Sequence, residues 1–392
     1  MLMPILLLLF FINFLILLLV TWNALAWPKP GLPARDCPNT CSALVPARNE
    51  QENIGPCLDS VLRQGASVRE ILVCDDHSDD ATAGIVRQYS PKDPRVRLIQ
   101  AGELPEGWCG KNHACARLAG EAAGSWLLFL DADARLSTEA IDRMMAEAQL
   151  RGVTFLSCWP GLILAGFWEK MLMPLLNFVV FTLFPAPLSL RRGDPALGLA
   201  HGACILIKRT EYESAGGHRL VHDQIFEDTC LARAWRASGR RGVCLDGQDL
   251  VKVRMYESLA GIWHGFQKNF FPAFRRTSSF WLFLVLHLVC FTGPFLIAPF
   301  TIGRGMQVWP VWGSVGCVLL MRTVQSWRFG YPIWSVPAHP LAEIMLIVVG
   351  LSSWWSCRCG RGVEWKGRIY RARPPAQCTN PLVEPTEPER KS

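Results

Sequence analysis

The chain has 392 residues, half of them hydrophobic and only 19% charged, with a net charge of +7. That charge content is low for a soluble protein of this length, and the apolar excess sits at the two ends of the chain. No basic stripe with interleaved aromatics is present, which excludes nucleic acid as an expected partner. The fifteen cysteines form no CxxC pair or Cys/His group at zinc spacing, as expected of free thiols in a reducing compartment.

Residues 2–20 carry no charge and one amide, Asn13. The run is long enough to cross a bilayer, so residues 1–22 are expected to be an N-terminal transmembrane anchor. Ala24-Leu25-Ala26 resembles a signal-peptidase site. However, nothing before Lys29 is basic and the apolar run exceeds a signal-peptide core, which favours a retained anchor. Lys29, Arg35 and Arg48 follow, and the positive-inside rule then puts the next domain in the cytoplasm.

Residues 42–270 alternate strand-like and helix-like stretches. Apolar strands are expected at Ser42–Pro46, Glu70–Cys74, Val96–Gln100 and residues 127–130. Helical patterns fall at Asn53–Gln64, Ala81–Tyr89, Asn112–Ala123 and Thr138–Leu150. This order implies a mainly parallel sheet with helices on both faces. No glycine-rich fingerprint follows the first strand, so a dinucleotide site of the NAD type is not expected.

Polar clusters stand at the strand ends, where open α/β sheets hold ligands. They are Pro46-Ala47-Arg48-Asn49-Glu50, Asp75-Asp76-His77-Ser78-Asp79-Asp80, and Gly107-Trp108-Cys109-Gly110-Lys111-Asn112. The fourth strand ends in Asp131-Ala132-Asp133. In extended chain the two carboxylates face one way. A divalent cation relieves their repulsion, and Mg²⁺ or Mn²⁺ bound this way usually also meets substrate phosphates. Lys111 beside Asp131 and Asp133 suits a metal-bridged diphosphate, and Asp75 and Asp76 suit ribose hydroxyls or a base edge. Each motif alone is equally a cap or a solvated turn, with Asp131 as a helix N-cap; their convergence favours a ligand site.

Further on, Trp159–Leu190 is rich in Leu, Phe, Met and Trp, with Glu169 and Lys170 the charges in its middle, and is broken by Pro174, Pro185 and Pro187. It is expected to be an interfacial insertion (159–190) that leads a lipid headgroup to the site; a buried core helix is the competing reading. Phe226-Glu227-Asp228-Thr229 opens another helical stretch, Cys230–Ser238. Asp228 is either its N-cap or a general base.

Residues 280–356 hold three membrane-type segments: Phe280–Ile302, Gly305–Met321 and Leu341–Trp355. The tail 357–392 carries Arg358, Arg361, Lys366, Arg368, Arg371 and Arg373, which argues for a cytoplasmic end. One segment is therefore expected to be re-entrant or interfacial, and Gly305–Met321 is the shortest.

The succession Val45-Pro46-Ala47-Arg48-Asn49-Glu50, Asp75-Asp76-His77-Ser78-Asp79, Asp131-Ala132-Asp133 and Glu227-Asp228 resembles family 2 glycosyltransferases of the GT-A fold. The similarity covers about residues 42–270. The anchor, Gly107–Asn112, Tyr212 with Gly216-Gly217, and Val363-Glu364-Trp365-Lys366-Gly367-Arg368-Ile369-Tyr370 resemble a membrane-bound branch. That branch includes carotenoid-acid (diaponeurosporenoate-type) and hopanoid-associated glycosyltransferases.

The resemblance implies an α/β fold with a Rossmann-like mixed sheet over residues 40–275, between the anchor and C-terminal transmembrane helices. It implies an integral protein of the plasma membrane with a cytoplasmic catalytic domain. Pro46, Arg48 and Glu50 would line the nucleotide pocket, and Asp76 would hold uracil or ribose, with Asp75 and Asp79 shaping the loop. Asp131 and Asp133 would meet sugar, ribose and metal–diphosphate, with Asp133 the main ligand of Mg²⁺ or Mn²⁺. Asp228 would be the base of an inverting transfer from a UDP-sugar to a lipid. Polyprenyl phosphate and polysaccharide acceptors, and a non-catalytic scaffold, are the alternatives.

One departure stands out. Where processive synthases and ceramide glucosyltransferases carry Q/RxxRW, this chain has Gln267-Lys268-Asn269-Phe270-Phe271. That weighs against polysaccharide synthesis and ceramide glucosylation. Gln267 and Lys268 are candidates for the diphosphate or acceptor, and Lys268 is equally a candidate for an interfacial snorkelling residue. A phosphohydrolase would need its DxD after the first strand, and a nucleotidyltransferase would need a glycine-rich basic loop at 47–51; neither pattern is present.

Overall fold

The computed structural model of the chain describes residues 2–32, 39–274, 276–303, 305–359 and 363–370. Arg35, Arg361, Arg371 and Arg373 lie outside the described residues.

The chain begins with helix α1 (Leu2–Ala26) and then enters the sheet-forming region. There follow β1 (Cys41–Ala47), α2 (Ile54–Leu62), β2 (Val68–Asp75), α3 (Thr82–Tyr89), β3 (Val96–Gln100), α4 (Gly110–Glu121) and β4 (Trp126–Leu130). These bounds match the expected elements to within a few residues. Continuous apolar runs such as Trp126–Leu130 are buried on both faces, as strands covered by helices require. Next come β5 (Ala134–Leu136), α5 (Ala140–Arg151), β6 (Phe155–Trp159), β7 (Gly161–Leu162), α6 (Phe167–Leu172), α7 (Pro174–Leu183) and α8 (Ala186–Ser189). The catalytic-size unit closes with β8 (Cys204–Lys208), α9 (Arg209–Ala215), α10 (Glu227–Ala237), β9 (Gly242–Asp246) and β10 (Val251–Val253).

The main sheet runs β3-β2-β1-β4-β8-β6-β9. β8 pairs antiparallel with both β4 and β6, and the other pairs are parallel. The sheet is therefore mixed. Its chain direction changes beside β4, whose carboxyl end carries Asp131 and Asp133.

Four longer helices follow: α11 (Leu259–Phe270), α12 (Thr277–Leu286) continuing through a π-turn into α13 (Gly293–Ile297), α14 (Trp309–Phe329) and α15 (His339–Arg358). The last described residues form the hairpin β11 (Val363–Trp365) and β12 (Arg368–Tyr370). Met3–Ala26, Thr277–Thr301 and His339–Arg358 are each long and apolar enough to cross a membrane. Residues 309–329 form one unbroken helix packed along α1, longer than the expected 305–321 segment. Arg322, Gln325 and Ser326 in its second half are buried, which is why a hydropathy reading stops short of them.

The cleavage-like Ala24-Leu25-Ala26 lies within and at the end of α1, and the residues around it are docked. Asn23 donates to the carbonyls of Phe181 and Phe184 (3.0 and 2.8 Å) and accepts from the Ala186 amide (2.9 Å). Trp27 donates to the Cys244 carbonyl at 2.9 Å. Residues 159–190 divide into two kinds of surface. Phe178 and Phe181 are fully buried among the helices, with Phe178 edge-on to Phe291. Phe167 and Trp168 are exposed, and Phe167 stacks flat on Trp334 at 5.2 Å. The expected interfacial segment thus presents Trp168 outward and keeps Phe178 in the core.

Candidate active site

The loops after β1 and β2 are stitched into one wall. Arg48 Nη1 donates to the carbonyls of Asp76 (2.5 Å) and His77 (2.9 Å). The Asn49 amide donates to Ser78 Oγ, the Glu50 amide to Thr82 Oγ1 and the Gln51 amide to Asp80 Oδ2. Asn49 and His77 sit at φ 53° and 57°, a left-handed conformation that residues with side chains adopt at a cost. Strain of that kind, held by hydrogen bonds on both sides, fixes where Arg48, Glu50 and Asp76 point.

One cavity of about 640 Å³ takes in most of the expected site residues. Pro46, Arg48, Glu50, Asp76, Lys111, Asp131, Asp133 and Asp228 all line it. Asp75 is not among its lining residues. It is buried beneath the loop, where its Oδ1 accepts from the Ser78 amide at 3.2 Å and ties the strand end to the loop.

Lys111, at the start of α4, lies 2.7 Å from Asp131 and 2.8 Å from Glu227. The two carboxylates hold its ammonium well above the usual lysine range against the opposing effect of burial. Burial alone would raise Glu227, but the charge and hydrogen bond of Lys111 outweigh it and leave Glu227 below its ordinary value. Asp133 is pushed up to about 7, first by burial and then by the charges of Asp131 and Glu50.

Asp133 Oδ1 is buried with no hydrogen-bond partner among the described residues. An orphaned carboxylate oxygen beside a second carboxylate fits a divalent cation. Among the described residues no group of three Asp, Glu, His or Cys closes on a common point. The donor set therefore suits a hard ion that completes its shell with phosphate oxygens and water.

Asp228 is the second residue of α10 and not its N-cap. Its Oδ2 accepts from the Gly202 amide at 2.8 Å and its Oδ1 from the Thr229 amide at 2.6 Å. Burial, then the charge of Glu227, pushes its carboxyl up to about 7, within the range useful for a base near neutrality. A side-chain carbon at Gly202 would stand 3.0 Å from Lys111 Nζ and 3.5 Å from both Asp131 and Asp228. Only glycine leaves the space between the three charged groups open.

The cavity continues from these charges to an apolar end. Leu175, Val179, Phe266, Phe270, Phe283 and Leu346, from α7, α11, α12 and α15, form its walls. Lys268 also lines it, and burial lowers its ammonium to about 8. Gln267 points elsewhere and donates to Ser352 and Ser356 of α15. The sequence reading missed two contributions. Glu227 was passed over as a neighbour of Asp228, although a Glu-Asp pair opening a helix offers two carboxylates to one cleft. Lys366 lines the cavity from the hairpin, whereas the sequence alone assigns the tail a net charge and a family resemblance but no place at the site.

The glycosyl transferase family 2 model matches residues 42–214. A 4,4'-diaponeurosporenoate glycosyltransferase of Staphylococcus aureus is 25% identical over 341 residues, covering 83% of this chain and 87% of its own. A mannosyltransferase of Pyrobaculum calidifontis, solved with GDP-Man and Mn²⁺, superposes with a TM-score of 0.55 at 19% identity. That match covers 91% of this chain and 99% of the other. The M. tuberculosis glucosyl-3-phosphoglycerate synthase with Mg²⁺ and UDP matches 62% of this chain and 82% of its own, at 18% identity and a TM-score of 0.42. With its mixed sheet, strand-end carboxylates and matched domain, this chain is a glycosyltransferase of the GT-A fold carrying a family 2 domain over residues 42–214.

Proposed function

We propose that the protein transfers a sugar, with inversion, from a UDP-sugar to a lipid acceptor at the plasma membrane, with the catalytic unit on the cytoplasmic side. The observation that carries this is the single cavity running from Asp131, Asp133 and Asp228 to Leu175, Val179, Phe283 and Leu346. A charged end joined to an apolar end is the shape required by a polar donor and a greasy acceptor. Phe283 and Leu346 of these apolar walls come from helices α12 and α15, within segments that meet the length and composition of membrane spans. Exposed Phe167, Trp168 and Trp334 beside them suit the aromatic belt of a membrane interface. The Staphylococcus relative is named for 4,4'-diaponeurosporenoate, and an acceptor of that chemical class would fill such a cavity.

Asp133, assisted by Asp131, would hold Mg²⁺ or Mn²⁺, which neutralises charge on a leaving diphosphate. The chain's own residues do the rest. Arg48 and Glu50 brace the nucleotide wall, and Asp76 stands at its rim. Lys111 adds positive charge beside Asp131. Asp228 accepts the proton of an acceptor hydroxyl as that oxygen attacks the anomeric carbon. The Gly202 and Thr229 amides hold its carboxylate in place, and a base so held contributes about 10²–10⁴-fold.

The test is a donor screen. Detergent-solubilised protein with Mn²⁺ is incubated with radiolabelled UDP-sugars and GDP-mannose and a total lipid extract, then partitioned into organic solvent. Label in the organic phase from a UDP-sugar, lost in Asp133→Ala, is the expected result. Label from GDP-mannose alone overturns the donor assignment, and label only in the aqueous phase overturns the lipid acceptor.

A further inference from the structure

The hairpin beyond the last apolar helix closes one side of the charged cavity. Trp365 pairs with Arg368, so the turn consists of Lys366 and Gly367 alone. Their φ values are 48° and 76°, the two-residue turn with both central residues left-handed that matches strand twist. An isolated two-stranded hairpin is marginal in water, so what holds this one in place decides its role.

It is held by charge, at the nucleotide wall. Lys366 Nζ donates to the Arg48 carbonyl at 2.7 Å and pairs with Glu50, and Arg48 Nε returns a bond to the Lys366 carbonyl at 2.9 Å. Arg368 grips Asp76 with both ends of its fork, Nη2 donating to Oδ1 at 2.9 Å and Nη1 to Oδ2. Its guanidinium fills the space that a side chain at Gly110 would need, and so it covers the start of α4.

Structural fastening alone does not account for this arrangement. Partly buried ion pairs fasten no better than apolar contacts of equal size. The floor of the cavity, by contrast, is rich in acid: Glu50, Asp131, Asp133, Glu227 and Asp228. Lys111 is already shared between Asp131 and Glu227. A nucleotide diphosphate entering here meets more carboxylates than the lining cations Arg48, Lys111 and Lys268 balance, so further positive charge at this wall would favour it. Lys366 lines this cavity, paired with Glu50, and Arg368 is held beside it on Asp76, itself a lining residue.

We propose that Lys366 and Arg368 are donor-binding residues: the hairpin completes the nucleotide pocket from beyond the membrane-type helices, and its two cations meet the donor's diphosphate while Glu50 and Asp76 keep them aimed. The inference rests on the reading of the cavity as a nucleotide-sugar site.

The test is calorimetric binding of UDP and of GDP, each with Mn²⁺, to the full-length protein in detergent, with thermal melting of each variant as a control. Lys366→Met and Arg368→Gln are each expected to weaken binding on the order of tenfold or more. Lys366→Arg should restore most of the affinity. Arg368→Lys should restore less, because the two-pronged grip is lost. Hydrogen exchange across residues 363–370 should slow when nucleotide is added. Unchanged affinity in folded Lys366→Met and Arg368→Gln protein assigns the hairpin to fastening only and overturns the proposal. Tighter binding in those variants makes the hairpin a plug and also overturns it. A wild type that binds neither nucleotide, with Asp133→Ala no different, removes the nucleotide-site reading itself. Wild-type binding that Asp133→Ala abolishes and the hairpin variants keep removes only the hairpin's role.

Discussion

Lys111 and Glu227 form an ion pair 2.8 Å long at the point where α4 and α10 meet, and the same ammonium lies 2.7 Å from Asp131. One cation thus ties the strand-end carboxylates to the helix that carries Asp228. Lys111→Met would leave Asp131 and Glu227 facing each other without compensation. Breaking a shared pair in a partly buried site costs a few kcal/mol, so kcat/KM is expected to fall on the order of 10²-fold. Gly202→Ala, which crowds Lys111, should act in the same direction and more weakly. Steady-state kinetics on both variants checks this; full activity in Lys111→Met would contradict it.

A pH profile reports on Asp228. Its carboxyl is pushed up to about 7, by burial first and by the charge of Glu227 second. A base works only when ionised, so kcat/KM is expected to be flat above about pH 7 and to drop roughly tenfold per unit below it. Glu227→Gln removes the neighbouring charge, makes ionisation of Asp228 easier and should move the acid limb to lower pH. Lys111 then has Asp131 alone as partner, which acts in the same sense. A limb that stays where it was would show that another group sets it.

The acceptor's chemistry sets how much Asp228→Asn costs. A hydroxyl acceptor needs its proton removed, and the loss should approach the full contribution of a base, about 10²–10⁴-fold. A carboxylic acid acceptor arrives ionised, and the loss should be far smaller. Parallel assays with an apolar alcohol and an apolar acid separate the two. Near wild-type rates with the alcohol would remove Asp228 from the base role.

Stability should respond to metal and pH together at Asp133. Its folded-state value of about 7 lies above that of an ordinary carboxylate. Between about pH 4 and 7 the folded protein therefore keeps a proton that the unfolded chain gives up, and stability falls as pH rises through that window. With EDTA at pH 8, Asp133→Asn is expected to melt several degrees above wild type, and the difference should vanish near pH 4. Mn²⁺ should raise the wild-type Tm by mass action and leave Asp133→Asn unmoved. Equal shifts with Mn²⁺ would place the metal elsewhere.

Much of this arrangement was legible in the sequence because single segments carried it. Apolar runs bounded by turns gave the strands, and the position of DxD just past the end of β4 put both carboxylates in one cavity, although residues 131–134 fold as a turn closed by the Ala134 amide on the Asp131 carbonyl and not as extended chain. What escaped was made by distance in the chain. Arg368 meets Asp76 across 292 residues, and no periodicity reports such a contact. Phe178 lies inside the helix cluster because α12, α14 and α15 return over it, which the composition of residues 159–190 does not reveal. The inward turn of Arg322 and Gln325 similarly hid the length of α14.

The apolar end of the cavity offers the sharpest separation of donor from acceptor. Val179 and Leu346 line it well away in the chain from the strand-end motifs, on α7 and α15. A tryptophan at either position adds bulk where an acceptor tail would lie and leaves the nucleotide wall untouched. Val179→Trp and Leu346→Trp are therefore expected to bind nucleotide as wild type does while transfer to a long-chain acceptor falls more than about tenfold, since overpacking an occupied groove displaces its occupant. A short-chain acceptor that does not reach these residues should escape most of the loss. If both chain lengths suffer equally, the tail does not run between α7 and α15. If neither suffers, the acceptor enters from another side of the charged floor.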